Sequence, residues 1–217
     1  MAGPHENLEH AEHAQHAAHG GGDNKKIALI ISVLALFLAF SETFGKASQT
    51  EALNLQIEAS NLWNFMQAKT IRRTFTLVQS EAAKIEVATT PDEARKAALS
   101  KQIGEWEKTA ARYRSEPEAG NGGEGTVELM RRAQAKEKER DLQFNKYHNF
   151  EFASAAFQIG IVLASAAVIT SMISLAWAAI GIGLIGVLFT VTGFVLPTFP
   201  HDVTHFIEAI FSKGGHH

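Results

Sequence analysis

Residues 27–89, IALIISVLALFLAFSETFGKASQTEALNLQIEASNLWNFMQAKTIRRTFTLVQSEAAKIEVAT, decide the fold. They begin as an apolar run from Ile27 to Phe40 and pass through Ser41-Glu42-Thr43-Phe44 into a polar segment that keeps helical period. The stretch contains no proline and one glycine, Gly45, so nothing in it forces a break. The expectation is one long helix, first in a bilayer and then projecting from it. The apolar part, counted to Phe44, is about 18 residues long, near the short end for a spanning helix. A signal peptide would share the basic flank Lys25-Lys26 and the apolar core. However, the region ahead is long and His-rich, and no clear small-x-small cleavage site follows, so a retained anchor is expected.

Beyond this anchor Asn54, Ile57, Asn61, Asn64, Ala68, Ile71, Phe75, Val78, Ala82 and Ile85 alternate three and four apart. That is heptad spacing, and it predicts an oligomer seam in a coiled coil or long helical hairpin. A second stripe, Ala52, Leu55, Ala59, Leu62 and Met66, is expected to lie beside it, the two making one wide apolar face. Asn54, Asn61 and Asn64 suit buried polar positions that fix register. The sharper alternative is an oligomeric ion channel with these Asn residues around its axis.

Thr90-Pro91-Asp92-Glu93 reads as a capping box, with Thr90 as cap and Pro91 in the first helical position. A second helix should follow over 91–114. Residues 115–125 are Pro- and Gly-rich and predict a loop. Their GNGGEG lacks the Lys and Ser/Thr of a phosphate-binding loop. Thr126 should cap a third helix over 126–149.

From Phe150 the chain turns apolar again. Two spans are expected, 150–173 and 178–196, joined by a turn at 174–177 with Trp177 as interfacial anchor. Small residues form a stripe on each, including Gly160, Ala164 and Ala167 on the first and Gly183, Gly186 and Gly193 on the second. Such stripes let helix backbones approach closely, so transmembrane packing is their expected role. Pro197 and Pro200 end the last span, and 197–217 reads as an amphipathic interfacial segment.

The predicted architecture is therefore all-α. It is a multi-pass membrane protein with a polar His-rich tail (1–24) and a first transmembrane helix (25–44). A helical stalk follows (45–149, with helices 45–89, 91–114 and 126–149), then a transmembrane hairpin (150–196).

Residues 45–151 hold 17 of the 20 Lys and Arg and 16 of the 23 Asp and Glu. This near-neutral interleaving suits solvated helices and argues against nucleic acid. The chain has no cysteine, which excludes disulfides and thiolate chemistry. No nucleophile elbow, nucleotide loop or paired carboxylates point to an enzyme.

Histidines supply the one recurrent chemistry. His10, His13, His16 and His19 stand three apart in the tail, and His201, His205 and Glu208 share a helix face near the end, with His148 and Glu151 able to join them. Neutral imidazoles at such spacing could hold Zn, Ni or Cu, although no closed site is defined and no cofactor is certain. The expected partners are membrane lipid, further copies of the chain, and an unidentified protein. The count of Lys and Arg beside the spans is two before the first and six after it, which places the stalk and C-terminus in the cytoplasm.

EHAEHAQHAAH, followed by NKKIALIISVLALFLAFSETFGKASQTEALNLQIEASNLWNFMQAKTIRRT, resembles a family of bacterial membrane proteins known as domain of unknown function 4337. The segment SNLWNFMQAKTIRRT, residues 60–74, is the most family-like. The resemblance implies a bacterial inner-membrane protein, in which the Lys and Arg count above would leave the N-terminal tail periplasmic; it carries over no catalytic residue, substrate or cofactor.

Overall fold

The computed structural model describes residues 22–197. Four helices account for nearly all of them, α1 (Gly22–Thr89), α2 (Glu93–Arg114), α3 (Thr126–Thr170) and α4 (Ile173–Val195), and no strand occurs among the described residues. Portions of α1, α3 and α4 are long and apolar enough to cross a membrane. Two compact units share α1 and α3: residues 22–52 with 141–197, and residues 53–140.

In the first unit α1, α3 and α4 pack around Ile27, Ile31, Leu34 and Leu38 of α1 and Ala153, Phe157 and Ile161 of α3. Small residues let the backbones close in. Gly160, Gly183, Gly186 and Gly193 are buried, as are Ala164 and Ala167, so both small-residue stripes face the chain's own helices. Large apolar side chains point outward instead, among them Leu29, Leu36, Val162, Ile169, Leu184 and Leu188. This is a surface that suits lipid rather than water.

The two buried polar side chains of the bundle, Ser41 and Asn149, are paired. Thr190 donates to the Gly186 carbonyl at 2.9 Å, which leaves the Ser41 hydroxyl, 3.2 Å away, to donate to Thr190. The fully buried Asn149 donates to the carbonyls of Asn145 and Pro197, both at 2.9 Å, and accepts from Thr192 at 3.1 Å. Asn149 thereby ties α3 to the end of α4 through groups that would otherwise be orphaned in an apolar setting.

In the second unit the amphipathic part of α1 packs with α2 and the polar start of α3. Leu55, Ala59, Ala83, Ala110, Leu129 and Ala133 are buried there. Lys69, also buried, lies 3.6 Å from Glu116 and 3.5 Å from Glu124. The Trp63 indole donates to Glu137 at 2.9 Å.

Several boundaries differ from the sequence expectation. The cap of α2 is Asp92, whose carboxylate accepts from the Ala94 and Arg95 amides, and the helix begins at Glu93 rather than 91. Asp at the N-cap outcompetes Thr90 two residues earlier because its carboxylate also complements the helix dipole. Thr126 is the first residue of α3, and its hydroxyl donates back to the Arg114 carbonyl at 3.2 Å instead of capping. The turn between α3 and α4 falls at Ser171-Met172, not at 174–177, and Trp177 sits within α4. Ser171 takes φ 56°, a left-handed value with a local cost for a residue bearing Cβ. No Gly or Pro marked that turn in the sequence.

Candidate functional site

The burial pattern of α1 carries the functional argument. Its inward positions alternate three and four apart without interruption. They run from Ile27, Ile31, Leu34 and Leu38 through Ser41, Gly45 and half-buried Ser48 to Ala52, Leu55 and Ala59, and the same rhythm continues through half-buried Leu62 and Met66, buried Lys69, half-buried Arg73 and Thr76, and buried Ser80 and Ala83. The helix thus spends one heptad seam on its own chain. The predicted oligomer seam is offset from it by two residues, which at about 100° per residue is the opposite side of the helix. The two stripes therefore do not form one wide face, as the sequence suggested. They are back to back.

Every predicted seam residue is exposed. Ile57 is 59% exposed, Ile71 69%, Phe75 65% and Val78 61%, and Ile85 continues the row. Asn54, Asn61, Asn64, Ala68 and Ala82 are exposed between them. The flanks are nearly neutral, with Ser60, Gln67 and Thr74 on one side and Phe65, Arg72 and Gln79 on the other. Arg72 apart, the charges that flank the seam, Glu58, Glu81 and Glu86, are held within the chain. Lys136 binds Glu58 at 3.0 Å and Glu139 at 3.1 Å, and these two carboxylates raise its pKa. Lys84 binds Glu107 and Glu81, both at 2.8 Å, which raises its pKa likewise, and Arg95 pairs with Glu86.

The glycine-rich loop holds a carboxylate of its own helix. Glu128 lies over it, accepting from the Ser115 hydroxyl at 2.6 Å and the Glu116 amide at 3.3 Å. A Cβ at Gly125 would stand 2.3 Å from the Glu128 carboxylate, and one at Gly123 would stand 2.6 Å from its Cγ. The glycines make room for Glu128, and Gly123 at φ +88° also needs the freedom.

The Ser115 bond holds the Glu128 carboxyl below the usual carboxylate range. A depressed carboxyl stabilises the fold above its unfolded pKa of about 4.3, and that contribution disappears as pH falls through the folded value. Glu128→Gln is accordingly expected to lower the melting temperature at pH 7 and to shrink the difference between melts at pH 7 and pH 3. Thermal unfolding of both proteins at the two pH values checks this.

The metal-binding expectations at His10, His13, His16, His19, His201, His205 and Glu208 lie outside the described residues. Among the described residues no group of three metal-ligating side chains converges. His148 Nδ1 lies 3.4 Å from Glu151 as a simple pair.

A family model described as "Domain of unknown function (DUF4337)" matches residues 23–196, which covers all four helices but for Gly22. The chain belongs to this family. No curated protein and no solved structure matched it. The family match ends just before Pro197, so both His-bearing segments fall outside it, whereas the α1 seam and the spans lie within.

Proposed function

We propose that this chain is a non-enzymatic membrane protein that self-associates through the exposed seam of α1 and serves as a scaffold or partner-binding protein. One observation carries the reading: the chain's own helices cover one heptad stripe of α1 and leave a second, opposite stripe open along 54–85. An open heptad row of Ile, Val and Phe with near-neutral flanks matches a second copy of itself, because a parallel coiled coil places like positions together. Copies inserted in one membrane share one orientation, so the pairing is parallel and in register. Asn54, Asn61 and Asn64 then meet their own counterparts, where they satisfy one another only in that register.

The small-residue stripes play no part in this association, since each already packs within the chain. The unequal Lys and Arg count beside the spans supports a cytoplasmic seam in an inner membrane.

The absence of native cysteine makes the test direct. Val78→Cys and Ile71→Cys are expected to give disulfide-linked dimers in isolated membranes under mild oxidation. Lys101→Cys, exposed on α2, is expected to remain monomeric. Equal cross-linking at all three positions, or none at the seam, would sink the reading.

A further inference from the structure

A groove of about 220 Å³ opens between α1 and α3 in the first unit. It lies where both helices change character. On α1 the apolar run has just ended, and on α3 the apolar run is beginning at Phe150. Gly45 brings the helices together at its floor, since a Cβ there would stand 3.4 Å from Phe150 Cβ.

The lining includes Glu42 and Lys46 from α1 and Glu151, Ser154 and Gln158 from α3. Lys46 and Glu151 are exposed at the mouth, whereas Glu42, Ser154 and Gln158 are half-buried. Ser154 and Gln158 lie one and two helical turns further into the apolar stretch than Glu151. Among the described residues, Glu42, Lys46, Ser154 and Gln158 have no hydrogen-bond or ion-pair partner. Glu151 has only long contacts, from the Tyr147 hydroxyl and to His148, each 3.4 Å.

Unpaired polar and charged side chains are costly beside hydrocarbon, and several converging on one groove mark a bound polar group. The charges say which. Two carboxylates and one lysine leave the groove with an excess of negative charge, which disfavours an anionic occupant. A carboxylate accepts N–H bonds, so it prefers a primary ammonium over a quaternary one. Lys46 supplies the single positive charge that a phosphate beside that ammonium requires. Ser154 and Gln158, deeper along α3, offer donors to ester carbonyls, and the exposed Phe152, Ile159 and Val162 give acyl chains an apolar track. A metal ion fits less well, because no three ligating side chains converge among the described residues.

We infer that this groove binds the headgroup of a phospholipid bearing a primary ammonium, held by Glu42 and Glu151, with its phosphate on Lys46. The inference rests on the membrane-spanning reading proposed above.

The experiment has two stages. Alkaline carbonate extraction of membranes comes first. Release of the full chain would overturn the membrane reading and this inference with it. With the chain retained, the purified protein is mixed in mild detergent with equal amounts of phosphatidylethanolamine, phosphatidylcholine and phosphatidylglycerol, and bound lipid is read by native mass spectrometry. The expected result is retention of phosphatidylethanolamine at least about fivefold above the other two, corresponding to roughly 1 kcal/mol of preference. Glu42→Gln with Glu151→Gln should abolish that preference, and Lys46→Ala should lower retention of all three lipids. The Glu151→Gln single variant, altered at an exposed side chain, should reduce the preference without affecting the fold. Equal retention of the three lipids, or a preference untouched by the carboxylate changes, overturns the headgroup assignment and leaves the membrane reading standing.

Discussion

Ile71→Asp combined with Val78→Asp is expected to convert the assembled protein to monomers while leaving each monomer folded. The two side chains are 69% and 61% exposed in the single chain, so the monomer loses little when they become polar. Substitutions at such surface sites stay within about 0.5 kcal/mol. In the assembly both would be buried. Full burial of an Ile or Val contributes about 1.5–3 kcal/mol, and a dimer buries four such side chains across these two layers. Even with half of that burial realised, the loss is about 3–6 kcal/mol, two to four orders of magnitude in the association constant. Carboxylates brought face to face add repulsion. The measurement is molar mass by light scattering in detergent across a concentration series. A double variant that keeps the parent's mass would remove the seam from the assembly. Leu55→Asp is the contrasting change. Leu55 is 4% exposed on the opposite stripe, so an Asp there should unfold the second unit and expose it to protease.

That contrast marks where the sequence stopped being readable. Both stripes of α1 have the same heptad rhythm, and rhythm alone cannot say which one the chain covers itself. Their angular relation was available, because two residues on a helix amount to about 200°, yet the stripes read as neighbours when their members interleave along the chain. The three helical stretches long and apolar enough to cross a membrane were legible because an apolar run of about 20 residues has few other uses. The polar ties within the bundle were not. Ser41 with Thr190 and Asn149 with Thr192 are 149 and 43 residues apart and leave no local spacing to find. Glu128 was hidden in a similar way, since a carboxylate just after a glycine-rich loop reads as an ordinary helix start until the loop is seen wrapped around it. At Ser171 the turn lacks the glycine that its backbone favours, so a local signal was missing where the structure needed one.

Within α4, three glycine-to-alanine changes should rank in the order Gly186, Gly183, Gly181, from most to least destabilising. The order follows from what each new methyl group meets. At Gly186 a Cβ would stand 2.7 Å from the Phe157 ring, with two further ring atoms at 2.9 Å. That ring is fully buried, and it stacks on Phe37 at 5.7 Å. A flat, enclosed ring cannot turn aside, so α4 must move away from α3, and overpacking of this kind costs about 1–3 kcal/mol. The shift would also stretch the Thr190–Ser41 contact one turn further along α4, where an unpaired hydroxyl adds its own penalty. At Gly183 the nearest atom, 2.6 Å away, is a terminal methyl of Leu34, and a flexible side chain can change rotamer at about 0.5–1.5 kcal/mol. At Gly181 nothing lies within 4 Å, so alanine there should be neutral or should stabilise the helix slightly. Thermal unfolding in detergent, followed by helical circular dichroism, reads the series. Equal effects at all three positions would mean that helix propensity, rather than close packing of α4 against α1 and α3, sets the stability of the spans.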